Sequence, residues 1–556
     1  GAVVVKGGHL EVTSKFNQVT IPNTINDVLM ARIDRLEEET RDLLKMAAVI
    51  GRSFFYRVLS EVAATVRNLD GRLAYLKETQ LIMERERMEE LEYLFSHALA
   101  QEAAYASILP EKCKALHMQV ADAIEKVFSK KLHAFYGMLA FHYSRAGSLE
   151  KAEDSLIKAG EEALKTSASS EALHYYLEAL RIYRQQSGTA IDPEKVALLE
   201  KNIALAFYNR GQYEEAVNYF DKALTYYWGP LPNNVFLLSF QFLSALMHFL
   251  IALYLPFMKF KKPVNPDDIQ ALDLYHKKSK ALAIINPKRF FIESIFICRK
   301  ITRNRLSDSD LWREIFLESS CLFSFTGTSF GLSRKILNKM ESAAHQDRAK
   351  IGLIYDFMDT IHKYLAGRWS DIGGHDMALV ENNLKVGEIF IASQHLYWHG
   401  CPSIYMGEVA QAQTILDELT SVAEAYENDF SILLNHMLKI KLLMECRHNT
   451  DALKAIEKAI AFAKKKRFTI TLLDFYSCQT RIFTFRKNPD RAADSLRQAE
   501  EIRASVRVTP IQLSIYLRTR LEFLLMQLED AKQRADKAAV NGLKKKAARA
   551  CNRLVR

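Results

Sequence analysis

Proline and glycine are scarce in this chain, 12 and 21 among 556 residues. Both break helices, so few points interrupt a helical run, and an all-α chain is expected. Cysteine is scarce too. The seven are Cys113, Cys298, Cys321, Cys401, Cys446, Cys478 and Cys551, an odd number with no CxxC pair. That pattern speaks against a disulfide frame or a zinc site and for reduced thiols in a cytoplasmic protein. Catalytic signatures are missing as well. No GxxxxGK[ST] cradles a triphosphate, and no acidic strand end would hold Mg²⁺. HExxH, GxSxG and a Cys/His metal cluster are also absent. The Asp and Glu residues fall on helical faces among Lys and Arg. No catalytic residue, metal ligand or cofactor is nominated, and the chain is expected to have no autonomous catalysis.

Acid is also scarce at one end. Residues 532–556 hold nine Lys and Arg against a single acid, Asp536, so this tail supplies +8 of the net charge of +10. A nucleic-acid or anionic-membrane patch is one reading. A solvated helix face is the preferred one, and no strong nucleic-acid signal follows. Apolar and charged contents of 49% and 26% are those of a folded soluble protein, and the length allows about two to four domains.

The chain opens GAVVVKGGHLEV, which reads as two strands around a turn at Gly7-Gly8. An isolated hairpin is marginal in water, and no initiator Met or signal peptide precedes it, so the chain is expected to be a fragment of a larger protein. Next, Ile25, Val28, Leu29, Ile33 and Leu36 repeat at helical spacing after Pro22, Asn23 and Thr24. A second helix carries Leu43, Leu44, Ala47 and Ile50 and stops at Gly51. FYRVLSEVA and GRLAYLKETQLI predict two more helices. MERERMEELEYLF predicts a hairpin with Met88-Glu89-Glu90 at its turn. Helices closed by a hairpin make a winged-helix pattern. Its candidate recognition helix offers only Arg72 and Lys77 as bases, which favours protein packing over DNA binding.

IPNTINDVLMARIDRL, AAVIGRSF and YLFSHALAQEAAYASIL together resemble the segment after the ATPase core in STAND-type, AAA-like ATPases. The resemblance is strongest to those fused to bacterial class III adenylate/guanylate cyclases and a tetratricopeptide (TPR) array, and it runs over roughly the first 230 residues. It implies that residues 1–20 end an ATPase region and that residues 21–110 form its winged helix. In related ATPases a Met-His-Asp motif places a histidine on the ADP β-phosphate. FSHAL sits at the equivalent place, with Ser96 and Ala98 in the flanking positions, so the resemblance makes His97 an ADP phosphate sensor in the parent. The alternative is a histidine that packs the hairpin onto the next helix. ATP or ADP and Mg would belong to the upstream ATPase domain acting in cis.

Helices then follow one another with short turns. IALAFYNRGQYEEAVNYFDKALTYY resembles a TPR, with Gly211, Tyr213, Ala216, Phe220 and Ala223 as repeat-packing residues. Small residues let paired helices approach, and Phe220 fills the groove between them. The signature recurs at Ala152-Leu156-Ala159, Ala172-Tyr176-Ala179, Ala412-Leu416-Leu419, Ala452-Ile456-Ala459, Ala492-Leu496-Ala499 and Ala531-Ala535-Ala538, with echoes at Leu332-Ile336 and Ile372. The later instances step by about 40 residues, longer than the usual TPR. TPR-like repeats are therefore expected over 111–230 and an α-solenoid over 263–556. Its groove would take a protein or small ligand. Lys464, Lys465, Lys466 and Arg467 are expected to be a solvated helix end, and Trp369 and Trp398 core anchors rather than a ligand cage.

The hydrophobic segment at 231–262 contains one uncharged run, 235–258, long enough to span a bilayer. His248 near its middle, and Lys259, Lys261 and Lys262 after it, favour a buried solenoid helix over membrane-surface contact, and that over spanning. The expectation is an all-α chain with a small winged-helix domain and a TPR-like α-solenoid. It would be the regulatory arm of a signalling ATPase, its parent a nucleotidyl cyclase. A non-enzymatic TPR adaptor, a STAND transcription regulator and a serine/threonine kinase are the alternatives.

Overall fold

The computed structural model describes residues 3–6, 9–12, 25–166, 168–187, 191–230, 235–255, 266–303, 309–385 and 387–555. The chain divides into two compact units, residues 1–163 with 174–191, and residues 164–173 with 192–556.

In the first unit, β1 (Val3–Lys6) and β2 (His9–Val12) pair antiparallel, Val3 opposite Val12 and Lys6 opposite His9. The expected turn at Gly7-Gly8 and the start signal at Pro22, Asn23 and Thr24 lie outside the described residues. Helices α1 (Ile25–Asp34) and α2 (Glu38–Ile50) bury Leu29, Ile33, Leu43, Leu44 and Ala47. Gly51 ends α2 at φ +147°, ψ −173°, a region open essentially to glycine.

The expected helix over FYRVLSEVA is present, preceded by a strand that was not expected. Strand β3 (Ser53–Phe55) comes first, then α3 (Tyr56–Val62) and α4 (Leu69–Glu78). Strands β4 (Ile82–Arg87) and β5 (Glu90–Phe95) form the hairpin, with Met88 and Glu89 both at positive φ at its turn. The sheet order is β3-β5-β4, all antiparallel. Phe54 explains the extra strand, because its ring lies 5.8 Å from Tyr93 and 5.9 Å from Phe95 on β5. Cross-strand aromatic packing holds the strand to β5. On α4, Arg72 is bound by Glu37, Glu39 and Thr40, and Lys77 pairs with Glu84.

Helices α5 (Ala98–Ala106), α6 (Pro110–Val127), α7 (Tyr136–Ala146), α8 (Leu149–Lys165) and α9 (Ser169–Ser187) follow. A directed chain of hydrogen bonds joins α5, α6 and α7. The Tyr105 hydroxyl lies 2.9 Å from Nε2 of His117, and Nδ1 of His117 lies 2.9 Å from Nδ1 of His142. His142 also bonds the backbone of Ile50. The donors fall in one order. Tyr105 donates to His117, His117 donates to His142, and the remaining ring N–H of His142 donates to the Ile50 carbonyl. Both imidazoles are therefore neutral. Burial pushes His117 down to about 4 and His142 to about 3.

The second unit is a run of antiparallel helix pairs. Its helices are α10 (Pro193–Asn209), α11 (Tyr213–Trp228), α12 (Val235–Tyr254), α13 (Pro266–Ile285) and α14 (Pro287–Arg303). Then come α15 (Asp310–Phe325), α16 (Phe330–Gln346), α17 (Leu353–Leu365), α18 (Met377–Lys385), α19 (Ile389–Tyr405) and α20 (Val409–Tyr426). The last six are α21 (Asp429–Glu445), α22 (Asn449–Lys465), α23 (Thr469–Phe485), α24 (Pro489–Ser505), α25 (Pro510–Gln533) and α26 (Lys537–Val555). Helices α19, α21, α23 and α25 begin at 389, 429, 469 and 510, which is the step near 40 carried by whole helix pairs. Ala412, Ala452 and Ala492 are buried on α20, α22 and α24, the second helix of each pair. Ala216, Phe220 and Ala223 are buried on α11.

Two instances of the signature fail. Ala531 ends α25, Ala535 turns the chain at φ +56°, and Ala538 starts α26. The 24-residue α25 outruns the 17 residues of α23, so the pattern slides off one helix onto the next turn. Ile372 lies in extended backbone after a short helical turn at Trp369–Asp371, not on a helix.

The solenoid coils back on itself. The turn after α10 meets the start of α21: Asp429 N–H donates to the Arg210 carbonyl at 2.9 Å, and Asn428 Nδ2 donates to the Asn209 carbonyl at 2.7 Å. Gly211, at φ +72°, lies against this seam, and a Cβ there would stand 2.6 Å from the Phe430 nitrogen. Tyr213 packs on Phe430 with ring centroids 5.3 Å apart. In the basic run at 464–467, Lys464, Lys465 and Arg467 are exposed, as expected of a solvated helix end, while Lys466 is half-buried in the same region. Lys466 pairs with Asp429 at 2.8 Å, and Arg467 with Glu214 at 3.6 Å.

Helix α12 also departs from expectation. Only one stripe of it is buried, Ala245, Phe249 and Leu253, and the opposite face is exposed. By contrast, α19 is buried from Ile389 to Ile404 and forms the centre of the unit. At the far end, α26 buries Ala547 and Ala550 while Lys544, Lys545, Lys546, Arg549 and Arg553 are exposed.

Candidate functional site

The inward faces of the helices line a cavity of about 180 Å³ within the second unit, from α13, α14, α15, α17, α19, α21, α23 and α25. Water needs roughly 10–15 Å³ by this measure, so there is room for a small organic molecule. The first helices of the pairs dominate the lining because the second helices form the outer layer. Aromatic and aliphatic side chains make most of the wall, among them Phe357, Tyr364, Phe390, Tyr397 and Trp398. Trp398 was expected to be a core anchor only. It is buried and donates to Gln394 at 2.8 Å, yet it also faces the cavity. Trp369 instead joins an outer stack with Tyr364 and Tyr405, its centroid 5.3 Å from that of Tyr405.

Polar groups mark two ends. At one, Glu318 on α15 takes His276 Nε2 at 2.6 Å and Lys280 Nζ at 3.1 Å. Burial would raise the Glu318 carboxyl, but His276 and Lys280 outweigh it and hold it down to about 2. This end is an ionic lock. At the other end, Asp474 on α23 is buried and its Oδ1 has no hydrogen-bond partner. Burial pushes its carboxyl up to about 6, against the pull of the Lys441 cation and a hydrogen bond from Gln512. Gln512 is held in place by the cap of α25, its Oε1 accepting from Thr509 N–H at 3.2 Å. A buried carboxylate with a free oxygen beside a lysine invites a group that can both donate and accept.

Covalent chemistry is not what this wall offers. Cys298 and Cys321 line it, and burial pushes both thiols up to about 12, so they are protonated at neutral pH. All seven cysteines are free thiols. Among the described residues no group of three or more His, Cys, Asp or Glu is placed to hold a metal.

His97 lies in the first unit. It is the N-cap residue of α5, in extended backbone at φ −132°, ψ 131°, and its side chain caps nothing. It is exposed, so it does not pack the hairpin onto the helix. Sequence reasoning placed the partner site in a solenoid groove but did not reach Asp474, Lys441 or Gln512, which belong to three different helices. Asn428 was missed too. It caps α21 through Phe430 and Ser431 N–H at 3.0 Å each while its amide holds the seam.

No family model matches this chain. An uncharacterised protein of Rhizobium meliloti (strain 1021) is 34% identical over 95 residues, which are 17% of this chain and 9% of that protein. Among solved structures, the chain is similar to a signal transduction ATPase with numerous domains (STAND) from Pyrococcus horikoshii that carries a tetratricopeptide repeat sensor. That likeness covers 96% of this chain and 66% of the other, at 14% identity and a TM-score of 0.35. Yeast Tom70 is similar over 79% of this chain and 88% of its own, at 13% identity and a TM-score of 0.26. The Cut9 and Hcn1 hetero-tetramer of the APC/C is similar over 78% and 94%, at 12% and 0.20. The helical-repeat architecture rests on the helix pairs themselves, and the chain is a TPR-like repeat protein on that ground.

Proposed function

We propose that this chain is the sensing and regulatory arm of a signalling ATPase of the STAND type. Its first unit would serve as the winged helix that follows the ATPase core, and its solenoid would bind the signal. The observation that carries this reading is the cavity lined by the inner helices, with an ionic lock at one end and a buried carboxylate with one free oxygen at the other. The ligand that fits has an apolar body and a polar head that donates to Asp474 and accepts from Lys441. Binding would shift the parent between ADP-bound and ATP-bound states, with His97 reading the ADP phosphate. Exposure of His97 at the start of α5 supports that role. The output domain is proposed to be a class III nucleotidyl cyclase, by resemblance, and the setting the cytoplasm.

The test is made on the full parent protein. ADP retained through purification is measured for the natural protein and for His97→Ala. The variant should lose most of its ADP while keeping its melting temperature. Equal ADP in both removes His97 from the mechanism. A second reading, a non-enzymatic TPR adaptor, is favoured by the absence of a P-loop in these 556 residues. It requires that no nucleotide stay with the parent at all.

A further inference from the structure

Helix α12 is the most apolar helix of the chain, with a mean hydropathy of 2.0 over 19 residues, yet only 17% of that window is buried. Its two faces differ. Ala245, Phe249 and Leu253 are buried, and the Phe249 ring packs 6.0 Å from Phe316 and 5.9 Å from Phe323. Phe242, between the two faces, packs 5.5 Å from Phe291. The outer stripe is Phe236, Phe240, Leu243 and Met247, with exposures of 86%, 71%, 59% and 51%. The steps of four, three and four place these four side chains on one continuous line. Single exposed apolar residues are ordinary in soluble proteins, but a contiguous stripe of this kind marks an interaction surface.

The charge pattern around it selects the partner. From residue 222 to residue 266 the sequence has no acid and four lysines, Lys222, Lys259, Lys261 and Lys262, of which the last three lie outside the described residues. Lys335 on α16 is exposed as well, with its ammonium 3.6 Å from the ring centroid of Tyr254 at the end of α12. We infer that the outer face of α12 docks on an anionic lipid surface, lying in the headgroup boundary rather than crossing it. An apolar protein groove would explain the stripe but not its acid-free, lysine-bearing flank. Spanning is opposed by the inner face, which would have to peel away from Phe316 and Phe323. The helix would enter lipid on one side only, with Lys335 beside its end for the headgroups.

The test uses the whole 556-residue chain and sedimentation with vesicles. The chain should bind vesicles of equal parts phosphatidylcholine and phosphatidylglycerol, and bind phosphatidylcholine alone far less. Phe240→Glu and Met247→Glu, both on the exposed stripe, should each weaken binding by on the order of tenfold or more. Lys259→Gln, Lys261→Gln and Lys262→Gln combined should weaken it by on the order of a hundredfold and flatten its salt dependence. Circular dichroism shows whether each variant keeps its helices, and all of them should. Equal binding to neutral and anionic vesicles, or none to either, overturns the inference. So does binding that survives alkaline carbonate, which means spanning. So does a dimer in solution that Phe240→Glu dissolves, which means a second copy covers the face. None of these results depends on whether the cavity takes a ligand.

Discussion

His117 with His142 in the first unit, and Lys280 with Glu318 in the second, are buried polar pairs built on opposite choices. The histidines are kept neutral, each nitrogen committed to one donor or acceptor. Protonating His142 sets two N–H donors against each other at 2.9 Å, and protonating His117 turns its Nε2 into a donor facing the Tyr105 hydroxyl. Lysine and glutamate are kept charged, and each lowers the cost of burying the other. The neutral pair carries no ionic desolvation at neutral pH but fails in mild acid. The ionic pair persists far into acid but cannot lose a partner.

The sharpest way to break this comparison is acid. The imidazoles have folded values of about 4 and 3, below the unfolded value of 6.5. Their stability is complete above 6.5 and is lost as the pH falls toward those values. By pH about 4.5 the first unit should lose on the order of 5 kcal/mol. Glu318 is depressed from 4.5 to about 2, so its contribution is complete above 4.5 and is lost progressively as the pH falls from there through 2. Hydrogen exchange at decreasing pH should release α6 and α7 well before α13 and α15. The second unit has neutral histidines of its own on α17 and α19, His362 and His399, both near 4, so the comparison is read at α13 and α15. Simultaneous release of all four helices sinks it.

Removing one ionic partner comes next. Lys280→Met leaves Glu318 with His276 alone and should cost about 3–5 kcal/mol in chemical unfolding of the second unit. A loss under 1 kcal/mol would mean the lock carries little weight. Gly211→Ala is smaller, about 3 kcal/mol, from a left-handed backbone and a Cβ forced toward the Phe430 nitrogen. Asp474→Asn is smallest and opposite in sign. The raised carboxyl costs stability above about 6, and that cost disappears as the pH falls below 3.8. The amide should therefore stabilise the unit by about 2 kcal/mol at neutral pH and by nothing near pH 3. A destabilised variant at neutral pH would show that Asp474 already has its partner.

Much of this was legible in the sequence because it is periodic. Small residues every 40 positions gave the helix pairs, and alternation at Met83–Phe95 gave the hairpin. The resemblance directed attention to His97, which local pattern alone would have left as a capping residue. What stayed hidden depends on distance along the chain. β3 needed the rings of Tyr93 and Phe95, and the pairing of Lys466 needed Asp429. The exposure of α12 could not be read from its composition, since a buried helix and a surface helix can be equally apolar. Asp474, Lys441 and Gln512 each look ordinary on their own helices.

The hydrogen bonds between Asn209, Arg210 and the start of α21 have a consequence for how such an array can grow. An open repeat protein gains or loses a hairpin with little penalty, because each unit touches only its neighbours. Here two points 219 residues apart must arrive at the same place. Deleting one hairpin between them would bring the wrong helix to Gly211, as removing a stave keeps a cask from closing. The number of hairpins is fixed by that join, and with it the width of the chamber inside.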